Sequence, residues 1–390
     1  MNDTTLHNSA GSHPDMRENV EALDEEDTGV AGLIKPWDPK QIRITTKTFS
    51  LREIFNQISD GEVDLAPDFQ RSFVWKENQQ IRLIESILLG IPLPAFYLNQ
   101  DAQGSLQVVD GVQRLTTVRL FMSNRLALKD THLEYLKSLE GLTLDTLDPP
   151  LRRRFGGTQI VAHVIEPQTP DEVKYDIFNR VNTGGSPLEA QEIRHCMSKA
   201  RSRTLLASLV QRDSFDQATA YMFYSRGEIG LVRNSRRMAD RELALRFCAF
   251  RNTTAEEYGR ANSLDGFLLD FTRRIDREFD DQQLSELETS FERSMMNCSA
   301  ILGDAAFRRW PLEASRRGPI NRAVFESQAL ALSNDSLEEL LPHREQIRIA
   351  FRTLFDDETY DGAIRFGTGD TRKVQRRLTA TSKLVKEIIR

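Results

Sequence analysis

Between residues 41 and 200 short apolar runs alternate with amphipathic stretches, and beyond Pro187 the chain is amphipathic almost throughout. Residues 41–45 alternate with the two-residue period of a strand. Ser50 then precedes Leu51, Ile54, Phe55 and Ile58, which share one helical face, and Glu53 completes a capping box with Ser50. A strand is therefore predicted to feed a short helix. Ile81, Ile84, Ile87 and Leu88 predict a helix over 77–89, stopped by Gly90 and Pro92. Strands follow at 94–98 and 106–109 around a polar turn at 101–105, then a helix over 112–122, a strand over 158–165 and a helix over 171–181. Beyond Pro187, three-to-four-residue apolar spacing predicts helices at 187–211, 236–251, 264–280, 283–302, 320–333, 343–355 and 371–389. This is the pattern of a mixed α+β domain over 40–195 followed by an all-helical domain over 196–390.

Composition adds a leader and removes several classes. The 390 residues are 39% hydrophobic and 28% charged, with no apolar run long enough to suggest a membrane span. The net charge of −6 is unevenly spread, because residues 1–30 hold eight acids against the single base Arg17. Residues 1–35 accordingly read as a disordered acidic leader, too poor in apolar side chains to offset the entropy of ordering. Cys196, Cys248 and Cys298 are odd in number and widely spaced, so neither a disulfide framework nor a zinc site is implied, and a reduced, cytoplasmic setting is expected.

Three segments could carry chemistry. In Val109-Asp110-Gly111-Val112-Gln113-Arg114-Leu115-Thr116-Thr117 a strand ends in Asp-Gly and opens at once into a helix. Unpaired amides at a helix start favour an anion, and phosphate is the natural one. Arg114 would add a bidentate donor, Asp110 could hold a metal or polarise water, Gln113 could orient a nucleophile, and Thr116 and Thr117 bring hydroxyls. The plainer alternative makes Asp110 the helix N-cap and Arg114 an ion-pair partner. Around Gln70 and Arg71, the aromatics Phe69, Phe73 and Trp75 could stack on a base while Arg71 reaches a phosphate, although such aromatics also build cores. In Phe178-Asn179-Arg180-Val181-Asn182-Thr183-Gly184-Gly185 a helix end runs into a Gly-Gly loop that could close over a ligand or cap the helix. No Walker loop occurs.

Taken in order, these segments and the Leu83–Leu88 helix with Gly90-Ile91-Pro92-Leu93-Pro94 resemble the signature blocks of the GmrSD-type restriction endonuclease amino-terminal domain family. The resemblance runs from about residue 48 to 200, with helical blocks such as residues 237–247 also similar to the region that follows in that family. It implies a ParB/sulfiredoxin-like core that binds a nucleoside triphosphate with Mg2+ and hydrolyses it during defence against modified phage DNA. Asp110, Gln113 and Arg114 would then be catalytic, with Asp110 also holding the metal. Gln70, Arg71, Gly111, Thr116, Thr117, Arg180, Asn182, Thr183 and Gly184 would bind nucleotide. Val112 stands where the family's motif has Gln, which puts hydrolysis in question if that amide contacts the ligand.

Nuclease members carry a His-Asn-His domain, and the six scattered histidines here do not form one, so cleavage would need a partner nuclease. A nuclease within the core, with Asp110 and Glu85 as metal carboxylates, is a rival expectation. Another is a non-enzymatic DNA-binding or scaffolding module. DNA contact is expected from residues 364–390, where eight bases oppose Asp370 and Glu387, through Arg372, Lys373, Arg376, Arg377 and Lys383. The acidic leader could compete for this basic stripe. DNA, a partner defence protein and an oligomer are the partners expected, and no membrane.

Overall fold

The computed structural model describes residues 23–24, 26–28, 38–65, 75–181, 189–227, 230–235, 237–261 and 263–390. Strand β1 (Ile44–Ser50) leads directly into α1 (Leu51–Ser59), and the Ser50–Glu53 capping box forms in both directions. Then come β2 (Val63–Asp64), α2 (Glu77–Leu89), β3 (Phe96–Gln100), β4 (Leu106–Asp110), α3 (Val112–Met122), α4 (Pro149–Gly157), β5 (Gln159–Ile165) and α5 (Asp171–Val181).

The five strands form one mixed sheet in the order β1-β5-β3-β4-β2. β1 runs antiparallel to β5 and β3 antiparallel to β4, whereas β3 with β5 and β2 with β4 are parallel. One face carries Phe49, Phe96, Leu98, Val108, Ala162 and Val164, which pack with α1, α2 and α3 into a single core that includes Ile54, Ile84, Leu115 and Phe121. The other face offers Val109 and Ile165 to Phe178 of α5 and to Ile193 of the next helix. Helices on both faces bury the apolar positions of the central strands β3 and β4, whereas Ile44 of β1 and Val161 of β5 stay exposed toward the β1 edge of the sheet.

The described remainder is mainly helical, with one hairpin and an irregular stretch over 306–321. α6 (Ala190–Met197) and α7 (Ala200–Val210) replace the single helix predicted over 187–211, because Ser198 adopts an extended backbone and the Asp276 carboxylate accepts the Lys199 and Ser202 amides. α8 (Asp213–Ala218), the hairpin β6 (Tyr224–Gly227) and β7 (Gly230–Arg233), α9 (Ala239–Arg251), α10 (Ala255–Gly259), α11 (Leu264–Arg277) and α12 (Asp281–Leu302) follow. α13 (Arg322–Ala331), α14 (Leu337–Leu340), α15 (Arg344–Thr353), α16 (Glu358–Arg365) and α17 (Thr371–Ile389) complete the chain. Phe215, Leu243, Phe247, Phe291, Met295, Ile301, Phe325 and Ile347 belong to one large core shared by α8, α9, α12, α13 and α15.

The leader departs from expectation. Residues 24 and 26–28 lie against the helical domain: the Asp24 amide donates to Ile320 O, and the Thr368 and Gly369 amides donate to Asp27 O and Thr28 O. Glu26 enters a buried charge cluster through Arg246. A disordered leader therefore does not describe this stretch. Composition correctly shows that it has little apolar surface to bury, but it cannot show that a positive pocket elsewhere requires its carboxylate.

Candidate functional site

β4 delivers Asp110 to the end of the sheet, and the chain turns through Gly111 into α3. Gly111 has φ +97° and is the N-cap, with no side chain to cap the first-turn amides. Glycine is required twice over: a left-handed backbone disfavours a Cβ, and a Cβ here would lie 2.2 Å from the Phe96 ring. The α3 start thus presents uncapped N–H groups and the positive end of the helix dipole. Asp110 precedes the cap, so the plainer reading of Asp110 as N-cap does not hold.

Arg114 turns back toward Asp110. Its Nη2 donates to Asp110 Oδ2 at 2.8 Å and to Ala95 O at 3.2 Å, and its Nη1 donates to Pro94 O at 2.5 Å. The guanidinium also stacks over Phe96 at 4.2 Å. Burial depresses the Arg114 pKa and the Asp110 charge opposes that shift. The arginine therefore braces Asp110 against the start of β3 while its side chain is only 12% exposed, and Asp110 is 32% exposed. Gln113 follows on the first turn, and its Oε1 is buried without a hydrogen-bond partner among the described residues.

The hydroxyls behave differently. Thr117 is fully buried and donates to Gln113 O at 2.8 Å, and Thr116 is buried as well. Thr117 is therefore committed to the helix interior, a correction to its expected ligand role, because positions 116 and 117 fall on the core side of α3. Val112 is also buried within the main α/β core. At this position the side chain points inward, so valine in place of glutamine is accommodated by packing and removes no group from the open side of the turn.

Gln70, Arg71, Asn182, Thr183 and Gly184 lie outside the described residues. β2 runs parallel to β4, so the chain leaves Leu65 toward the sheet end that holds Asp110. β5 leaves the sheet at the other end, where Ile165 pairs with Asn99, and α5 returns from there with Arg180 in its last turn. Arg180 is exposed and pairs with Asp176 at 3.3 Å. Tyr97, directly opposite Asp110, also pairs in register with His163, and their rings lie 5.0 Å apart. Sequence reading missed these two neighbours, although their alternation with Phe96 and Ala162 marks them as facing the less buried side.

Glu85 has another task. Its carboxylate accepts the Glu134, Tyr135 and Leu136 amides at 2.7–3.0 Å. Burial alone would raise its pKa, but these three N–H donors outweigh burial and lower it. Glu85 therefore pins the 134–136 loop and is not placed to share a metal with Asp110. Among the described residues no group of three or more His, Cys, Asp or Glu side chains could hold a metal ion. His195 is buried, and burial with Arg203 and Arg241 pushes its pKa down to about 2, which leaves it neutral.

On α17 the basic face is narrower than expected. Arg372, Arg376 and Lys383 are exposed, Lys383 pairs with Glu387 at 3.6 Å, and Lys373 Nζ donates to Phe366 O. Arg377 is fully buried, donating to Glu326 and to Thr368 O. It is not available to DNA: with Val374, Thr381 and Val385 it lies on the inward face, where Glu326 balances its charge. No helix among the described residues is long and apolar enough to cross a membrane.

The fold and the turn define a mixed α/β module whose sheet end carries an acidic residue beside an uncapped helix start. Residues 51–198 match the family model described as GmrSD restriction endonuclease, N-terminal domain. No curated protein matches the chain.

Proposed function

We propose that this chain is a nucleoside-triphosphate-binding switch of a restriction-type defence system, acting in the cytoplasm on or near DNA. The observation that carries this reading is the start of α3: uncapped amides, Asp110 and the unpaired Gln113 Oε1 occupy one turn of a GmrSD-type domain. Phosphate oxygens fit the amides, and buried polar groups such as the Gln113 carbonyl call for a partner. Asp110 offers the single protein carboxylate that Mg2+ commonly takes alongside phosphate and water. Bound there, the ion would neutralise charge on the phosphates; Gln113 would orient the attacking water toward the terminal phosphorus, and Arg114 would hold Asp110 in place.

Ion pairs offer a route by which the site could act on the helical domain. Arg203 of α7 reaches Asp64 at 2.9 Å, just before residues 66–74, and Arg273 of α11 reaches Asp171 at 2.7 Å, at the start of α5. A ligand that binds two arrangements of these contacts unequally would shift their populations.

The test is binding and phosphate release across the four ribonucleoside triphosphates, with and without magnesium and DNA. Gln113→Ala should keep binding and slow release by roughly ten-fold or more. Absence of triphosphate binding by the folded wild-type protein would overturn the reading. A second reading, a clamp or DNA-binding scaffold without turnover, is favoured by Arg114, whose observed contacts are all internal. Binding without release would select it.

A further inference from the structure

Four guanidiniums, Arg194, Arg246, Arg322 and Arg377, meet Glu242, Glu326, Asp265 and Glu26 inside the helical domain. Seven of these side chains belong to the domain or to the helix that enters it. Glu26 alone arrives from the amino-terminal segment. Arg246 Nη1 donates to Glu26 Oε1 at 3.0 Å, Arg246 Nη2 donates to Oε2, and Thr368 Oγ1 donates to Oε1 at 2.6 Å. Without Glu26 one buried positive charge stands uncompensated, a costly state that creates demand for an anion.

The surroundings of Glu26 have the chemistry of a peptide site. Main-chain bonds join the segment on both sides, from Asp24 N to Ile320 O at 3.0 Å and from Thr368 N to Asp27 O at 2.8 Å. Asn321 Nδ2 donates to Asp24 Oδ2 at 3.0 Å and Arg322 Nη1 to Asp24 O at 3.1 Å. Gly369 permits the approach, since a Cβ there would sit 2.9 Å from Thr28 O. Among the segment's described side chains only Leu23 joins the apolar core, and it is half-buried. Main-chain hydrogen bonds supply the register and one carboxylate the anchor, the division of labour of peptide recognition by main-chain pairing.

We propose that the groove between residues 320–322 and residues 366–369 is a docking site for an acidic peptide, filled in cis by Asp24 and residues 26–28 and open to exchange with a partner segment of the same chemistry. A nucleic-acid phosphate is a poor fit, because Glu242 and Glu326 line the pocket beside Arg246 and the occupant's carboxylate is nine-tenths buried. The tethered segment holds the groove by its high effective concentration, so a free peptide competes only when the cis anchor is weakened.

The test uses the full chain carrying Glu26→Gln and a synthetic peptide with the sequence of residues 21–30. The peptide should bind E26Q at least about ten-fold tighter than wild type, and the same peptide with Gln at position 26 should bind neither. Hydrogen exchange at the Thr368 and Gly369 amides should quicken by about ten-fold in E26Q and return toward wild type when peptide is added. Equal binding to E26Q and wild type, or unchanged exchange in E26Q, would overturn the proposal. So would an E26Q chain that fails to fold, which would make Glu26 an integral core charge. None of these outcomes depends on whether the α/β module binds nucleotide.

Discussion

The start of α3 and the Arg246 cluster use the same residue types to opposite ends. At α3 one arginine braces one carboxylate, both partly reach solvent, the first-turn amides have no side-chain cap, and the buried Gln113 Oε1 has no hydrogen-bond partner among the described residues. Around Arg246 the guanidinium meets Glu26, Glu242 and Glu326 and is nearly sealed from water. Unfilled hydrogen-bonding capacity beside partial exposure is what a ligand site needs, whereas balanced burial holds an architecture in one arrangement. The contrast teaches that counting charged residues does not locate function; the accessibility of an uncapped helix start beside a carboxylate separates this region from a sealed ion-pair cluster.

The largest expected effect is at Glu326, which serves both Arg246 and Arg377 with no exposure. Glu326→Ala should cost about 3–5 kcal/mol in urea unfolding, because two guanidiniums lose a buried partner. Asp110→Ala should cost no more than about 1.5 kcal/mol, since Arg114 keeps its two carbonyl acceptors. Equal costs would erase the distinction between the two regions.

Acid should discriminate next. Burial would raise the Glu242 pKa, but Arg246, Arg322 and Arg194 outweigh burial and hold it at about 2, against an ordinary 4.5. A depressed carboxyl stabilises the fold fully above 4.5, and that contribution is lost as pH falls from 4.5 to about 2. Denaturation followed across this window should show about 3 kcal/mol more loss in wild type than in Glu242→Gln, where Glu26 and the other depressed carboxyls still titrate. Smaller again is Gly111→Ala, expected to destabilise by about 2 kcal/mol through the left-handed backbone and the Phe96 contact, with triphosphate binding weakened at the same time. A melt that drops while binding stays intact would move the phosphate site elsewhere.

The smallest stability effect belongs to the α17 surface. Arg372→Ala with Arg376→Ala should change stability by less than about 0.5 kcal/mol. If DNA tracks this face, the log-log salt dependence of its binding should become shallower by about one unit per residue. An unchanged slope would remove α17 from the DNA interface.

Much of the fold was legible from local pattern. The helices over 77–89, 112–122, 171–181 and 371–389 occur with the boundaries the spacing predicts, because each has a stop signal, a strand junction or a strong apolar period. β2 was not legible: two residues make no period, and only pairing with β4 defines it. The β6–β7 hairpin was missed within a stretch read only for helices, and its exposed Leu231 and Val232 give no clean alternation.

The candidate site divides along the same line. Sequence alone determined that a strand would end at Asp110 and that Gly111 would turn it into a helix, since both follow from neighbouring residues. Only the tertiary structure decided that Arg114 would brace Asp110 from inside, that Thr117, Val112 and Arg377 would face cores, and that Glu26 would cross 220 positions of sequence to Arg246. Local sequence sets dihedral preference and face periodicity. Which face meets solvent, and which distant charge answers a buried one, is fixed only when the elements pack.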